Sequence, residues 1–147
     1  MSIKIMLSQV HHSIPCSYSR RESVPRRLRI YLIVCAVSFA IAFLVQTVFQ
    51  SLGANRSFWG GNPGWQREIA FWNLFALVVI GRALMLNRTP FATSVAQACV
   101  VLFFLLGTNH LFAFLVLPTA SFHWPPLALN YAGFVFGMHT LFSLQPR

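Results

Sequence analysis

Five polar side chains of this sequence are best suited to chemistry, and they stand within or beside long apolar runs. They comprise one carboxylate, one imidazole and three amides: Gln66, Glu68, Asn73, Asn109 and His110. A carboxylate buried against apolar walls has a raised pKa, and it can then exchange a proton with a nearby imidazole. Because polar groups are costly in hydrocarbon, such residues are candidates for a ligand-binding or proton-relay site.

Other residues argue against several catalytic classes. The chain has only two acids, Glu22 and Glu68, so no Ser-His-Asp arrangement can be built. Cys16, Cys35 and Cys99 form no C-x-x-C pair, and the last two fall in apolar runs where packing is expected. The sequence therefore predicts no catalytic residues, leans against an enzyme and indicates no particular cofactor.

The histidines do not predict a metal or haem site. His11, His12 and His123 are expected to be exposed, and they lack metal-ligand spacing with cysteines or acids. His110 and His139 would differ in depth by roughly 20 Å along a helical bundle, so they could not both reach one haem iron.

The composition indicates that lipid is the solvent of this chain. Hydrophobic residues make up 56% of it and charged residues 9%, whereas a soluble domain carries about 25% charged residues. The net charge of +9 does not predict nucleic-acid binding, because many of the arginines directly precede the first apolar run, where anionic lipid headgroups would lie. These arginines are Arg20, Arg21, Arg26, Arg27 and Arg29.

Four apolar runs predict an all-α fold, an integral membrane four-helix bundle. A helix crosses the hydrocarbon layer in about 20 residues. The predicted spans cover residues 30–49, 68–86, 91–117 and 127–144. Residues 1–29 are predicted to form a basic, partly disordered tail, and 30–147 the membrane domain. A cleaved signal peptide is disfavoured, because the first apolar run is longer than the usual 7–15 residues or so.

The distribution of Lys and Arg predicts that both termini are cytoplasmic. The N-terminal tail, Arg82, Arg88 and Arg147 fall on one side, whereas Arg56 and Arg67 fall on the other. With this topology Glu68, Asn73, Asn109 and His110 lie in the outer half of the membrane, together with Gln46, Asn130 and Tyr131. We therefore expect them to meet in one outward-facing cavity.

The same residues also have a purely structural interpretation. Glu68 can be a solvated residue of the first helical turn, where the helix dipole favours an acid. Asn73, Asn109 and His110 can simply hydrogen-bond between helices. Arg82 is expected to extend its side chain to the headgroups.

Small residues indicate where the helices approach one another closely. Gly133 and Gly137 form a G-x-x-x-G pair in the fourth predicted span, and Ala36 and Ala40 repeat that spacing in the first. This spacing lets helix backbones pack together, either within one bundle or between two chains.

At the start of the second span stands the run GWQREIAFWNL, which resembles small bacterial membrane proteins related to the DoxX-like superfamily. In those proteins Gln-x-Glu precedes aromatic-x-Asn as the second helix begins, as Gln66, Glu68 and Asn73 do here. A Gly-His pair of their third helix has a looser counterpart in Gly107 and His110. The resemblance implies a four-helix bundle in the bacterial inner membrane. It implies no reaction, although some members are linked to quinone or thiol redox systems.

The sequence leaves three functions open. A small lipophilic ligand, such as a quinone or lipid, would bind among Glu68, Asn73 and His110. A structural or accessory subunit would instead pack against a membrane protein partner or a second copy through Gly133 and Gly137. The third hypothesis is a quinone-linked subunit of a membrane oxidoreductase.

Overall fold

The structure is a computed structural model that describes residues 23–51, 57–58, 61–118 and 121–145. Within these ranges the chain forms four α-helices and a short 3-10 helix, Ser121–His123. The α-helices are α1 (Arg26–Thr47), α2 (Pro63–Leu86), α3 (Thr89–Val116) and α4 (Trp124–Phe142). The predicted all-α, four-helix fold is confirmed. Most of the predicted tail, with His11, His12 and Cys16, lies outside the described residues.

Three of the helices are long and apolar enough to cross a membrane, namely α1, α2 and α3, with 22, 24 and 28 residues. The fourth helix, α4, has 19 residues but is not among these candidate spans. Its polar residues, which include Asn130 and His139, lower its mean hydropathy. The chain is therefore an integral membrane helical bundle, and the membrane crossing of α4 stays a prediction.

Local capping explains why α2 begins before its predicted span. The first helical residue of α2 is Pro63, and the Asn62 side chain accepts a hydrogen bond from the Trp65 N–H at 3.2 Å. Such a cap satisfies a backbone donor that has no partner within the helix. At the other end of α2, Asn87 adopts a left-handed conformation with φ of 50°, which asparagine tolerates better than most residues.

The helices pack as two hairpins, since α1 lies mainly against α2 and α3 mainly against α4, with fewer contacts between the pairs. We call the end that carries the α1–α2 and α3–α4 connections the loop end, and the opposite end the turn end. At the turn end the Val24 N–H donates to Asn87 Oδ1 at 3.1 Å. At the loop end the Phe58 N–H donates to His123 Nε2 at 2.8 Å.

The buried core lies mainly between α1 and α3. Phe39 of α1 stacks on Phe103 of α3, with ring centroids 5.6 Å apart and an interplanar angle of 7°. Cys35 and Cys99 are both buried in this core, as expected for packing residues. The Tyr31 hydroxyl is buried there as well, and it has no hydrogen-bond partner among the described residues.

The G-x-x-x-G pair of α4 faces other helices of the same chain. A Cβ atom at Gly133 would lie 2.9 Å from Cδ2 of Phe103, and one at Gly137 would meet Val100 and the Tyr31 hydroxyl. The two glycines therefore let α4 approach α3 and α1 closely. In α1 the half-buried Ala36 packs against the core, and Ala40 is also half-buried.

Candidate functional site

Two hydrogen-bonded pairs of polar side chains lie toward the loop end of the bundle. The first pair joins α1 to α2, because Asn73 Nδ2 donates to Gln46 Oε1 at 2.6 Å. The second joins α3 to the 3-10 helix, because Nδ1 of His110 lies 3.1 Å from Nδ1 of His123. Both pairs connect segments that are distant in sequence, so each is a product of the tertiary fold.

The Asn73–Gln46 pair lies partly buried between α1 and α2. Asn73 is buried and Gln46 is half-buried. An amide removed from water without a partner is costly, so each of these side chains stabilises the burial of the other. One turn further along, Gln50 Nε2 donates to the Gln46 backbone oxygen at 2.8 Å. The result is a row of amides that runs from the helix interface to the surface of the loop end.

An open depression of about 300 Å³ lies at the end of this row, between the C-terminal end of α1 and the start of α2. Its lining residues are Gln50, Ser51, Gly61, Pro63 and Gln66. Three of these side chains carry hydrogen-bonding groups and none is charged. Such a surface can both donate and accept hydrogen bonds, which suits a neutral polar group.

His123 is fully buried, so the expectation that it would be exposed is wrong. Its Nε2 accepts the Phe58 N–H and also lies 3.5 Å from the Ser57 hydroxyl. A backbone N–H can only donate, so neutral His123 carries its proton on Nδ1 and donates it to Nδ1 of His110. Burial lowers the pKa of His123 below its usual 6.5, which favours this neutral form.

The remaining residues predicted for the site lie elsewhere. Glu68 and Asn109 are exposed. Because α2 begins at Pro63, Glu68 falls in its second turn rather than its first, and among the described residues it makes no hydrogen bond or ion pair. The structure thus places Asn73 and His110 in separate hydrogen-bonded pairs, and only Gln66 lines the depression.

Two further residues of this region, Gln50 and His123, were not predicted for the site, whereas Gln46 was placed at the outer end of the first span. The four-residue spacing of Gln46 and Gln50 puts them on one face of a helix, and that signal was available in the sequence. No local pattern predicts the burial of His123. Within the described ranges, no group of three or more His, Cys, Asp or Glu side chains is placed to hold a metal ion.

These features define a small polytopic helical membrane protein with two hydrogen-bonded pairs of uncharged polar side chains toward the loop end. Searches against protein-family models, curated proteins and solved structures found no match to this chain. The resemblance of the run GWQREIAFWNL to DoxX-like proteins therefore stays a prediction.

Proposed function

We propose that this protein binds a small lipophilic ligand with an uncharged polar head at the loop end of the bundle. The observation that carries the proposal is the depression lined by Gln50 and Gln66. Gln50 is fixed there by its hydrogen bond to the backbone oxygen of Gln46, the residue whose side chain pairs with buried Asn73. Ligand sites are typically concave and orient their ligand with a few fixed polar groups. The hydrogen bonds among Asn73, Gln46 and Gln50 hold part of this lining in place before a ligand arrives.

Exposed apolar side chains next to the depression supply a surface for the rest of the ligand. Phe49 precedes Gln50 and Trp65 precedes Gln66, and both rings are exposed. A hydrocarbon or prenyl tail would cover such rings favourably, because apolar area would leave water. Quinones and neutral lipids combine this kind of tail with a head that accepts or donates hydrogen bonds.

The predicted topology gives the ligand a route from the outer leaflet. In this topology α4 is the fourth span, and the loop end faces the periplasm because Arg27, Arg82 and Arg88 lie toward the other end. A reporter fused after residue 60 tests this orientation. Reporter activity in the cytosol would contradict both the topology and the route.

Thermal unfolding in detergent tests the ligand proposal directly. We expect a short-chain benzoquinone or a diacylglycerol to raise the Tm of the wild-type protein, and Gln66→Leu to abolish the increase. Asn109→Leu is the matched control, because Asn109 is an exposed amide that does not line the depression. Equal responses in all three proteins, or no response to either probe in the wild type, would contradict the proposal.

A structural or accessory subunit is the second candidate, and a row of exposed aromatic residues on α2 supports it. Phe71, Trp72 and Phe75 are all well exposed. The Gly133–Gly137 face is occupied by side chains of the same chain, so we place the partner contact on this aromatic row instead. A pull-down in mild detergent tests it, and purification only as a lone monomer would argue against a subunit role.

A further inference from the structure

A second open cavity lies at the turn end, on the opposite side of the bundle from the proposed ligand site. It has a volume of about 260 Å³ and opens between the first turns of α1 and the last turns of α4. Its lining residues are Arg27, Ile30, Phe136, His139 and Thr140. Since α1 and α4 belong to different hairpins, the cavity marks a place where the two hairpins diverge.

The polar lining of this cavity is basic. Arg27 and His139 are both exposed beside it. In the described part of the chain the only acid is Glu68, and it lies near the loop end. The Arg27 guanidinium therefore has no carboxylate partner at this end among the described residues, and Arg26 and Arg29 add positive charge in the same helical turn.

The walls of the cavity are largely apolar. Ile30 and Phe136 are both partly open to the surroundings. Behind them the buried Tyr31 ring meets the Phe136 ring edge-on, with centroids 5.5 Å apart. The Thr140 hydroxyl donates to the Phe136 backbone oxygen at 2.9 Å, so its proton is used within α4. The cavity thus combines a cationic rim with a hydrocarbon wall.

We propose that this cavity binds an anionic phospholipid, with its phosphate on Arg27 and one acyl chain along Ile30 and Phe136. A guanidinium presents a planar set of donors that matches phosphate oxygens, and His139 can donate a further hydrogen bond. Basic pockets between membrane helices are known to hold such headgroups. The inference goes beyond the proposed function, because it concerns other residues at the opposite end.

The apolar wall distinguishes a lipid from free phosphate. Inorganic phosphate would use only the Arg27 side of the cavity and would leave Ile30 and Phe136 uncovered. A phospholipid covers both surfaces, and it already lies in the bilayer beside the cavity. Lipid binding should therefore depend on Arg27 and on an acyl chain together.

Native mass spectrometry of the full chain in detergent provides the test, with phosphatidylglycerol, phosphatidylcholine and inorganic phosphate as separate probes. We expect one phosphatidylglycerol to bind more tightly than phosphatidylcholine, and Arg27→Gln to weaken it about tenfold through loss of charge-assisted hydrogen bonds. Arg27→Lys should restore part of the affinity, because it keeps the charge without the planar fork.

Arg82→Gln is the matched control, because Arg82 is an exposed arginine of the same end that does not line the cavity. It should bind phosphatidylglycerol like the wild type. Equal loss in Arg27→Gln and Arg82→Gln would show a diffuse effect of charge and overturn the site. Equal affinity for phosphatidylcholine, or retention of inorganic phosphate in place of the lipid, would overturn it as well.

Discussion

Nδ1 of His123 lies 3.1 Å from Nδ1 of His110, while Nε2 of the same imidazole accepts the Phe58 N–H. His110 and His123 belong to the α3–α4 hairpin, and Phe58 belongs to the connection between α1 and α2. One buried side chain therefore joins the two hairpins at the loop end. The neutral form alone satisfies both contacts, because protonation would point an Nε2 proton at the Phe58 N–H.

This arrangement predicts that acid lowers the free energy of unfolding of the protein. Burial lowers the pKa of folded His123 below its usual 6.5, so the unfolded chain binds a proton at higher pH than the folded chain does. Above pH about 6.5 the imidazole is neutral in both states and its contribution is fully present. As the pH falls below that value, the unfolded state gains the proton first and the free energy of unfolding decreases.

Thermal unfolding in detergent between about pH 8 and pH 5 measures this effect. His123→Gln is the matched variant, because its amide oxygen can still accept the Phe58 N–H but it does not titrate. We expect the wild-type Tm to fall more steeply with acid than the Tm of the variant. Parallel curves for the two proteins would show that other groups cause the pH dependence.

The Asn73–Gln46 pair predicts a non-additive pair of substitutions. Asn73→Leu leaves the Gln46 amide without its partner in an apolar interface, and we expect a loss of about 1 kcal/mol. In Gln46→Leu/Asn73→Leu neither orphaned amide remains, so the double variant should lose less than the sum of the single variants. Unfolding in detergent with increasing denaturant measures all three proteins, and strictly additive losses would contradict a direct contact.

Hydropathy alone was sufficient to predict the four helices, because each needs a long apolar surface to meet lipid or the core. Hydropathy placed the first residue of each helix too late in the sequence. Hydropathy marks where hydrocarbon begins, whereas a helix can start before that point, as α2 does at Pro63 after the Asn62 cap. The cap was present in the sequence, but the neighbouring Gly60-Gly61 made the segment resemble a continuous loop.

The predicted site illustrates a different limit. Residues at a similar depth in a bundle need not face the same direction, since neighbouring residues on a helix point about 100° apart. Asn109 and His110 share one turn of α3, but only His110 is turned toward His123. Which face a helix buries depends on its partners. His123 is buried where the 3-10 helix meets the α1–α2 connection at Phe58, so its burial depends on both hairpins.

Alanine substitutions of two glycines of α4 and one of α2 should differ strongly in their effect on stability. Gly137→Ala should destabilise the protein by about 1–3 kcal/mol, because the new methyl group meets Val100 and Tyr31 in a closely packed core. Gly81→Ala is the control, since a Cβ there meets nothing within 4 Å, and alanine favours a helix by about 1 kcal/mol. Gly133→Ala should fall between them, because its Cβ atom would approach the Phe103 ring less closely than a Cβ atom at Gly137 approaches Val100 and Tyr31.

Unfolding of the three variants in detergent measures their order of stability. If Gly137→Ala is as stable as Gly81→Ala, the close approach of α4 to α1 and α3 is incorrect. The G-x-x-x-G face would then be available to a second chain, and oligomeric state measured on the same samples would show it.

Two substitutions at Asn87 should separate the effect of its backbone conformation on stability from the effect of its side-chain hydrogen bond. Its left-handed backbone conformation disfavours most side chains, and its side chain accepts the Val24 N–H. Asn87→Gly keeps the backbone conformation but removes the acceptor, whereas Asn87→Ala removes the acceptor and adds strain. We expect Asn87→Ala to be less stable than Asn87→Gly by about 1 kcal/mol, the cost of a left-handed conformation for a residue with a Cβ atom. Equal stability of the two variants would show that the turn between α2 and α3 relaxes to another conformation. The hydrogen bond from the Val24 N–H would then be the only contribution of Asn87 to stability.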